Sequence, residues 1–195
     1  MDKSSEAGGS YGFPKEITLP NGSVIALRLM VSDDKDKILT FARSLPRDDL
    51  LFLRTDITEP ASIDEWIRNL ERGNTATVIA EANGEIAGYA SVHSDQARWT
   101  RRVGEIRMLV GANYRGVALG RQLAAEIFNL GQLRGLKKMA AMMTPDQARA
   151  RAAFEKLGFQ VEALLQDWVI DRNGRSRDLL IMSHDLESLS DHVAA

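Results

Sequence analysis

The stretch MLVGANYRGVALG, Met108–Gly120, decides how this chain should fold. Its first three residues are apolar, as in a buried strand, and the glycine-containing part after them is typical of a turn that opens a helix. The first N–H groups of a helix have no partner within it, and with the positive end of the helix dipole they form an anion site. Gly116 and Gly120 permit close backbone approach, and the Arg115 guanidinium suits phosphate. The stretch therefore predicts either a phosphate-binding turn or an ordinary strand–helix connection.

Two common phosphate motifs do not fit this turn. The Walker loop ends in Gly-Lys-Ser/Thr, and those residues do not occur here. The dinucleotide fingerprint places three glycines after the first strand of a βαβ unit, whereas this turn comes late in the chain. The residues of the turn alone therefore leave its ligand open.

Outside this stretch, the chain alternates between strand-like and helix-like segments. Asn83-Gly84 and Asn173-Gly174 each lie between apolar segments and predict two-residue hairpin turns. Strands are expected at 23–30, 75–82, 86–93, 102–110 and 137–143 and in the final hairpin at 159–186, and helices at 33–44, 61–72, 115–134 and 147–157. This order predicts an α/β fold with a mixed central sheet of about seven strands flanked by about four helices, which is neither a doubly wound Rossmann fold nor a helical bundle.

Composition limits the classes of function. A net charge of −2 gives no global field for binding nucleic acid. The absence of cysteine excludes disulfides, a thiolate zinc site and a catalytic thiol, and it fits a reducing compartment, so we expect a cytoplasmic protein. The three histidines have no ligand spacing, which predicts no metal site. We find neither a signal-peptide core nor a membrane-length apolar run. We expect residues 1–15 to be disordered, residues 16–187 to form one domain, and residues 188–195 to be a short polar tail.

Several motifs, taken in order, resemble the GNAT superfamily of N-acetyltransferases. That family's turn reads Arg/Gln-x-x-Gly-x-Gly/Ala after a valine-ended strand, and here Ala118 stands at the first glycine. A second block, an Asn-x-x-Ala helix that closes in Gly-Phe, resembles QARARAAFEKLGF. The matching residues in the two blocks are Arg115, Gly120, Ala150, Gly158 and Phe159. The hairpin GEIAGYASV and the order of elements also fit, so the resemblance covers about Val24–Leu186 and implies a GNAT-like fold.

The resemblance implies a site for acetyl-CoA as a co-substrate. Its pyrophosphate would bind the N–H groups of the turn and first helical residues, which are Arg115, Gly116, Val117, Ala118, Leu119, Gly120 and Arg121. Its pantetheine arm would run beside Met108, Leu109 and Val110, where that strand splays from residues 137–143. Gln147 and Phe154, in the second block, would complete the site. We expect Ala118 to be tolerated, because φ is negative in a first helical turn and alanine favours such a turn.

Acetyl transfer to an amine needs a base, because an amine of pKa about 10.4 is only about one part in a thousand neutral at pH 7.4. Glu105 is the only carboxylate in VGEIRMLV, and many relatives place a glutamate there, so it is the predicted catalytic residue. Alternatively, Glu105 points to solvent or pairs with Arg107 or Arg102. Phe154 occupies the position at which many relatives carry a tyrosine acid. The alternative function is therefore a non-catalytic acyl-CoA sensor or interaction module.

The acceptor is expected to be a primary amine, on either a protein lysine or a small molecule. Leu27–Arg54 resembles the bacterial protein lysine acetyltransferases, which favours a protein lysine. The final strands, with Trp168 and Asp178, are candidates for the edge of a homodimer.

Overall fold

The computed structural model describes residues 11–50, 55–171 and 173–186, with the side chains of residues 47 and 48 excepted. Within these ranges the strands are β1 (Lys15–Thr18), β2 (Val24–Leu29), β3 (Thr75–Ala82), β4 (Glu85–His93), β5 (Val103–Val110), β6 (Lys138–Met143), β7 (Gln160–Ile170) and β8 (Ser176–Asp185). The helices longer than one turn are α1 (Lys35–Ser44), α2 (Pro60–Glu71), α3 (Leu119–Leu133) and α4 (Ala148–Lys156). A single α-helical turn, Arg47–Leu50, follows α1.

All eight strands belong to one mixed sheet, in the order β1-β2-β3-β4-β5-β6-β8-β7. Every neighbouring pair is antiparallel except β5 and β6, which are parallel. That parallel contact has only three Cα pairs and ends at Glu105↔Ala140, whereas the β4–β5 ladder continues to Gly88↔Val110. The two parallel strands therefore diverge beyond Glu105.

Gly104 lies in the short parallel contact and is required there for steric reasons. A Cβ at this position would lie 2.5 Å from Val92 Cγ2 and 2.6 Å from Leu136 Cδ1, closer than carbon atoms pack. The backbone of β5 is thus held close to the core immediately before Glu105.

Helices cover both faces of the sheet. On one face, α3 buries Leu119, Leu123 and Ile127 completely against a core that includes Ile106 of β5. On the other face, α1 and α2 build a second core that Leu109 of β5 contacts. Because side chains alternate along a strand, Glu105 and Arg107 lie on the same face as Leu109.

The predicted fold class is confirmed, with eight strands in place of about seven. The hairpin at Asn83-Gly84 has φ values of 52° and 82°, as a two-residue turn of this kind requires. The prediction of disorder through residue 15 is wrong where it can be compared, because Phe13 is buried in the main core and β1 begins at Lys15. Residues 1–10 and the predicted tail at 188–195 lie outside the described residues.

The predicted start of α3 is also wrong. The helix begins at Leu119, four residues after Arg115, because Gly116 and Ala118 have φ values of 75° and 68°, which are not helical. None of the helices in the described ranges has the length and apolar character that crossing a bilayer demands.

Candidate functional site

A cleft of about 540 Å³ opens where β5 and β6 diverge. Strand β5 forms one wall, and β6 with the start of α4 forms the other. The lining residues are Asp49, Glu105, Ile106, Arg107, Met108, Leu109, Ala141, Met142, Met143, Asp146, Gln147, Ala148, Arg149, Ala150 and Phe154. The structure thus brings five of the predicted site residues together in this cleft, namely Glu105, Met108, Leu109, Gln147 and Phe154.

Beyond Glu105, the edge of β5 that faces the cleft pairs with no strand in the described parts of the chain. Residues 106–110 pair with β4 alone, so the backbone groups that point away from β4 face the cleft. Unpaired strand edges offer N–H donors and C=O acceptors to an extended ligand. The Val110 carbonyl is an exception, since it accepts a hydrogen bond of 3.2 Å from Arg115 Nε.

The turn after β5 leads into an uncapped helix. A 3-10 turn, Ala112–Tyr114, comes first, and Ala118 is the N-cap residue of α3, with φ 68° and ψ 4°. No side chain of the described residues caps α3, so the N–H groups of its first residues have no partner within the helix. The expectation that Ala118 has negative φ is wrong, and its left-handed conformation costs roughly 1–2 kcal/mol in an L-residue other than glycine.

Gly120, in the first turn of α3, is not required by the fold. Its φ is not positive, and a Cβ there would lie 3.7 Å from Val110 and 3.8 Å from Met108, which are ordinary contacts. A glycine that the protein's own packing does not require fits a position that a ligand approaches closely. The other predicted turn residues, Gly116, Val117, Leu119 and Arg121, lie outside the lining of the cleft.

The Arg115 side chain already has two hydrogen-bond partners within the protein, at the mouth of the cleft. Its Nη2 donates to the carboxylate of Asp49, while its Nε donates to the Val110 carbonyl. The predicted phosphate contact would therefore compete with Asp49 for this guanidinium.

Glu105 lies at the point where the two parallel strands separate. Its side chain is 18% exposed, and its Oε1 accepts a hydrogen bond of 3.0 Å from Arg107 Nε. The alternative in which Glu105 pairs with Arg107 is thus confirmed, and the carboxylate lines the cleft as well. His93 is opposite Glu105 on β4, with hydroxyls of Thr75 and Ser91 each 2.9 Å from its ring nitrogens.

Residues at the start of α4 form the far wall. Gln147 is the N-cap residue of α4, and its Oε1 accepts a hydrogen bond of 2.9 Å from the Thr144 N–H. A hydrogen bond from Thr144 and an ion pair with Arg177 hold the pKa of the Asp146 carboxyl below its usual range. Phe154 is 9% exposed and packs edge-on against Phe159, with ring centroids 4.9 Å apart. Its side chain provides an apolar surface and no proton donor.

A second cavity, of about 240 Å³, was not predicted from the sequence. It lies on the face covered by α2 and is lined by Thr55, Ile57, Ser62, Glu65, Trp66, Asn69, Tyr89, Ser91, His93 and Arg107. Of the residues that the structure describes, Arg107 alone lines both this cavity and the cleft. Burial raises the pKa of the Tyr89 phenol, and the positive charge of Arg107 partly offsets this rise. The only signal in the sequence was Ser91 and His93 at alternate positions of an otherwise apolar strand.

The described residues contain no group of three or more His, Cys, Asp or Glu side chains that could hold a metal ion.

Residues 39–159, which are more than half of the chain, match the model of the Acetyltransferase (GNAT) family. This chain belongs to the GNAT acetyltransferase family. GNAT acetyltransferases use acetyl-CoA as their co-substrate. The uncapped start of α3, the free edge of β5 and the cleft between β5 and β6 are features that such a ligand fits.

Solved structures support the fold of this GNAT chain. It is similar to yncA, a putative acetyltransferase from Salmonella typhimurium with its cofactor acetyl-CoA, at 21% identity over 84% of this chain and 95% of that chain, with a TM-score of 0.72. The ribosomal-protein-alanine N-acetyltransferase from Brucella melitensis has 24% identity over 82% of this chain and 98% of that chain, with a TM-score of 0.70. A GNAT acetyltransferase from Streptococcus pneumoniae has 20% identity over 83% and 99%, with a TM-score of 0.71.

Proposed function

We propose that this chain transfers the acetyl group of acetyl-CoA to a primary amine by direct attack, with Glu105 as the general base. The observation that carries the proposal is the position of the Glu105 carboxylate. It lines the cleft at the last residue pair before β5 and β6 diverge, where the free edge of β5 begins.

Two parts of the structure support an assignment of acetyl-CoA to the cleft. The N–H groups at the start of α3 and the positive helix dipole would hold the pyrophosphate, and Gly120 leaves room for its approach. The free edge of Met108 and Leu109 would bind the amides of the pantetheine arm, with Phe154 as an apolar wall. Acetyl-CoA supplies the acetyl group as an activated thioester.

Glu105 is suited to remove a proton from the acceptor. The acceptor amine, of pKa about 10.4, arrives almost entirely as an ammonium ion at neutral pH, and it must lose a proton to become nucleophilic. The bond from Arg107 Nε fixes the orientation of the Glu105 carboxylate. A positioned base contributes roughly 10²–10⁴-fold to the rate. Because Phe154 cannot donate a proton, we assign protonation of the departing sulfur to solvent, which a thiol of pKa about 8.5 allows.

The acceptor is a primary amine of one of two classes. The resemblance of Leu27–Arg54 to bacterial protein lysine acetyltransferases supports a protein lysine. The second cavity, which shares Arg107 with the cleft, supports a small molecule. A homodimer stays a prediction, supported by Trp168 and Ile170, which are 66% and 76% exposed on the edge strand β7.

The test is release of free thiol from acetyl-CoA with amino acids, polyamines, aminoglycosides and lysine-bearing proteins. The Glu105→Gln variant should lower kcat at least tenfold near neutral pH, because it removes the base, while the Kd for acetyl-CoA changes by less than about twofold. Glu85→Gln, on the exposed start of β4, is the matched control and should behave as the wild type.

If Glu105→Gln kept its rate, Glu105 would not be the base. Tight binding of acetyl-CoA without thiol release for any acceptor would favour the alternative function, a non-catalytic acyl-CoA sensor.

A further inference from the structure

The second cavity has the size of one small molecule and a lining that is partly apolar and partly charged. Its apolar residues include Trp66 and Tyr89, which are 8% and 3% exposed and whose ring centroids are 4.9 Å apart. Its charged residues include Arg107, on the same face of β5 as Glu105. A volume of about 240 Å³ equals about eight water molecules at ≈ 30 Å³ each, which suits a ligand the size of an amino acid.

Arg107 presents unused hydrogen-bond donors in this cavity. Its Nε donates to Glu105, but none of the described residues accepts a hydrogen bond from Nη1 or Nη2. The side chain is 33% exposed, so the guanidinium is partly withdrawn from water. The two NH₂ groups of a guanidinium carry four N–H donors in one plane, and they match the two oxygens of a carboxylate.

The charges around the cavity favour an anion at Arg107. The carboxylate of Glu65 also lines the cavity, but it already accepts hydrogen bonds from Arg68 at 2.6 Å and from Asn69 at 3.2 Å. The bonds from Arg68 hold the pKa of Glu65 below its usual range. A second ammonium group on the acceptor would therefore meet the Arg107 cation, whereas a carboxylate would be attracted to it.

The contact between Arg107 and Glu105 sets the spacing within the acceptor. An amine beside the Glu105 carboxylate and an anion on the Arg107 NH₂ groups can be only a few bonds apart, because the two side chains touch. The amine and carboxylate of an α-amino acid have this spacing.

We propose, on the basis of the function proposed above, that Arg107 determines acceptor specificity by binding a carboxylate. The acceptor is then a free amino acid or a similar small amine with a nearby carboxylate. Its amine lies beside Glu105, its carboxylate on the terminal nitrogens of Arg107, and the rest of the molecule against Trp66 and Tyr89.

The experiment measures thiol release with the twenty amino acids, and then with the amide and the decarboxylated amine of the best one. The wild type should favour the acid over both analogues at least tenfold in kcat/KM. Arg107→Gln should lower kcat/KM at least tenfold more for the acid than for the amide. Losing the bond that orients Glu105 slows both acceptors by the same factor, whereas losing the carboxylate contact also raises KM for the acid alone. Arg101→Gln, on the exposed loop between β4 and β5, is the matched control for loss of one positive charge.

The comparison of acid with amide separates a carboxylate site from a role in orienting Glu105. If Arg107 served only Glu105, its loss would lower kcat for acid and amide alike, and the inference would be overturned. Equal use of acid and amide by the wild type, or activity confined to polyamines or protein lysines, would overturn it as well while leaving acetyl transfer intact. Absence of thiol release above the no-amine background with every acceptor would instead refute the proposed function.

Discussion

Replacing Ala118 with glycine should make the protein more stable. Ala118 has φ 68° and ψ 4°, a left-handed conformation in which the Cβ of an L-residue costs roughly 1–2 kcal/mol. Glycine removes that cost but gives the unfolded chain more freedom, which takes back about 0.4–1 kcal/mol. The side chain is exposed, so its loss removes little buried surface. The expected net gain in the free energy of unfolding is about 0.5–1 kcal/mol.

Urea unfolding followed by circular dichroism measures this gain. The midpoint should rise with an unchanged slope, and the melting temperature should rise by about 1–4 °C for a chain of this size. The matched control is Ala148→Gly, because Ala148 is also exposed and is the first residue of α4, with helical backbone. That change should lower stability by about 0.5–1 kcal/mol.

The sign of the difference between the two variants decides the matter. If Ala118→Gly destabilised the protein as much as Ala148→Gly did, Ala118 would not have left-handed backbone, and the strain argued for this turn would be absent.

Two further changes test charged contacts. Asp49→Asn should lower the KM for acetyl-CoA by about two- to fivefold in steady-state assays, because it releases the Arg115 guanidinium from its ion pair. The difference in KM between variant and wild type should decrease as the salt concentration is raised. An unchanged KM would mean that Arg115 does not contact the co-substrate. Asp34→Asn should lower the free energy of unfolding at pH 7 by about 2 kcal/mol, because it weakens a part-buried bidentate pair with Arg28, which keeps its bond to Glu81. Burial alone would raise the pKa of Asp34, but the bonds from Arg28 and the Val31 N–H lower it overall. The stabilisation from Asp34 is therefore present above its unfolded pKa of about 3.9 and is lost as pH falls through its folded pKa. The free energies of unfolding of variant and wild type, measured by urea titration, should converge as pH falls below about 4. A difference that stayed constant across pH would contradict a lowered pKa for Asp34.

Local patterns predicted most of the fold. The apolar spacing of α2 and the turn at Asn83-Gly84 depend on neighbouring residues, so the sequence alone was enough to locate them. Strand β1 was missed because four residues are too few to show alternation, and its position depends on pairing with β2. The start of α3 was misplaced because the backbone angle of Ala118 is unusual for alanine.

The cleft was predicted better than the second cavity. The glutamate of β5 and the turn after it are close in the chain and match a family pattern. The second cavity joins Trp66 on α2 to Tyr89 on β4 and Arg107 on β5, which only the packing of a helix on the sheet brings together. A residue such as Arg107, which lines both spaces, has no local pattern that marks it.

The three-pair contact between β5 and β6 also divides the sheet into two parts that are weakly joined. Strands β1 to β5 form one part and strands β6, β8 and β7 form the other. In the described residues, only three residue pairs join the two parts through strand pairing. A pantetheine arm bound along β5 would form hydrogen bonds with the part of the β5 edge that no strand of the described residues pairs with. The co-substrate would then connect the two parts of the sheet while it is bound. Its release after each turnover would remove these contacts next to Glu105.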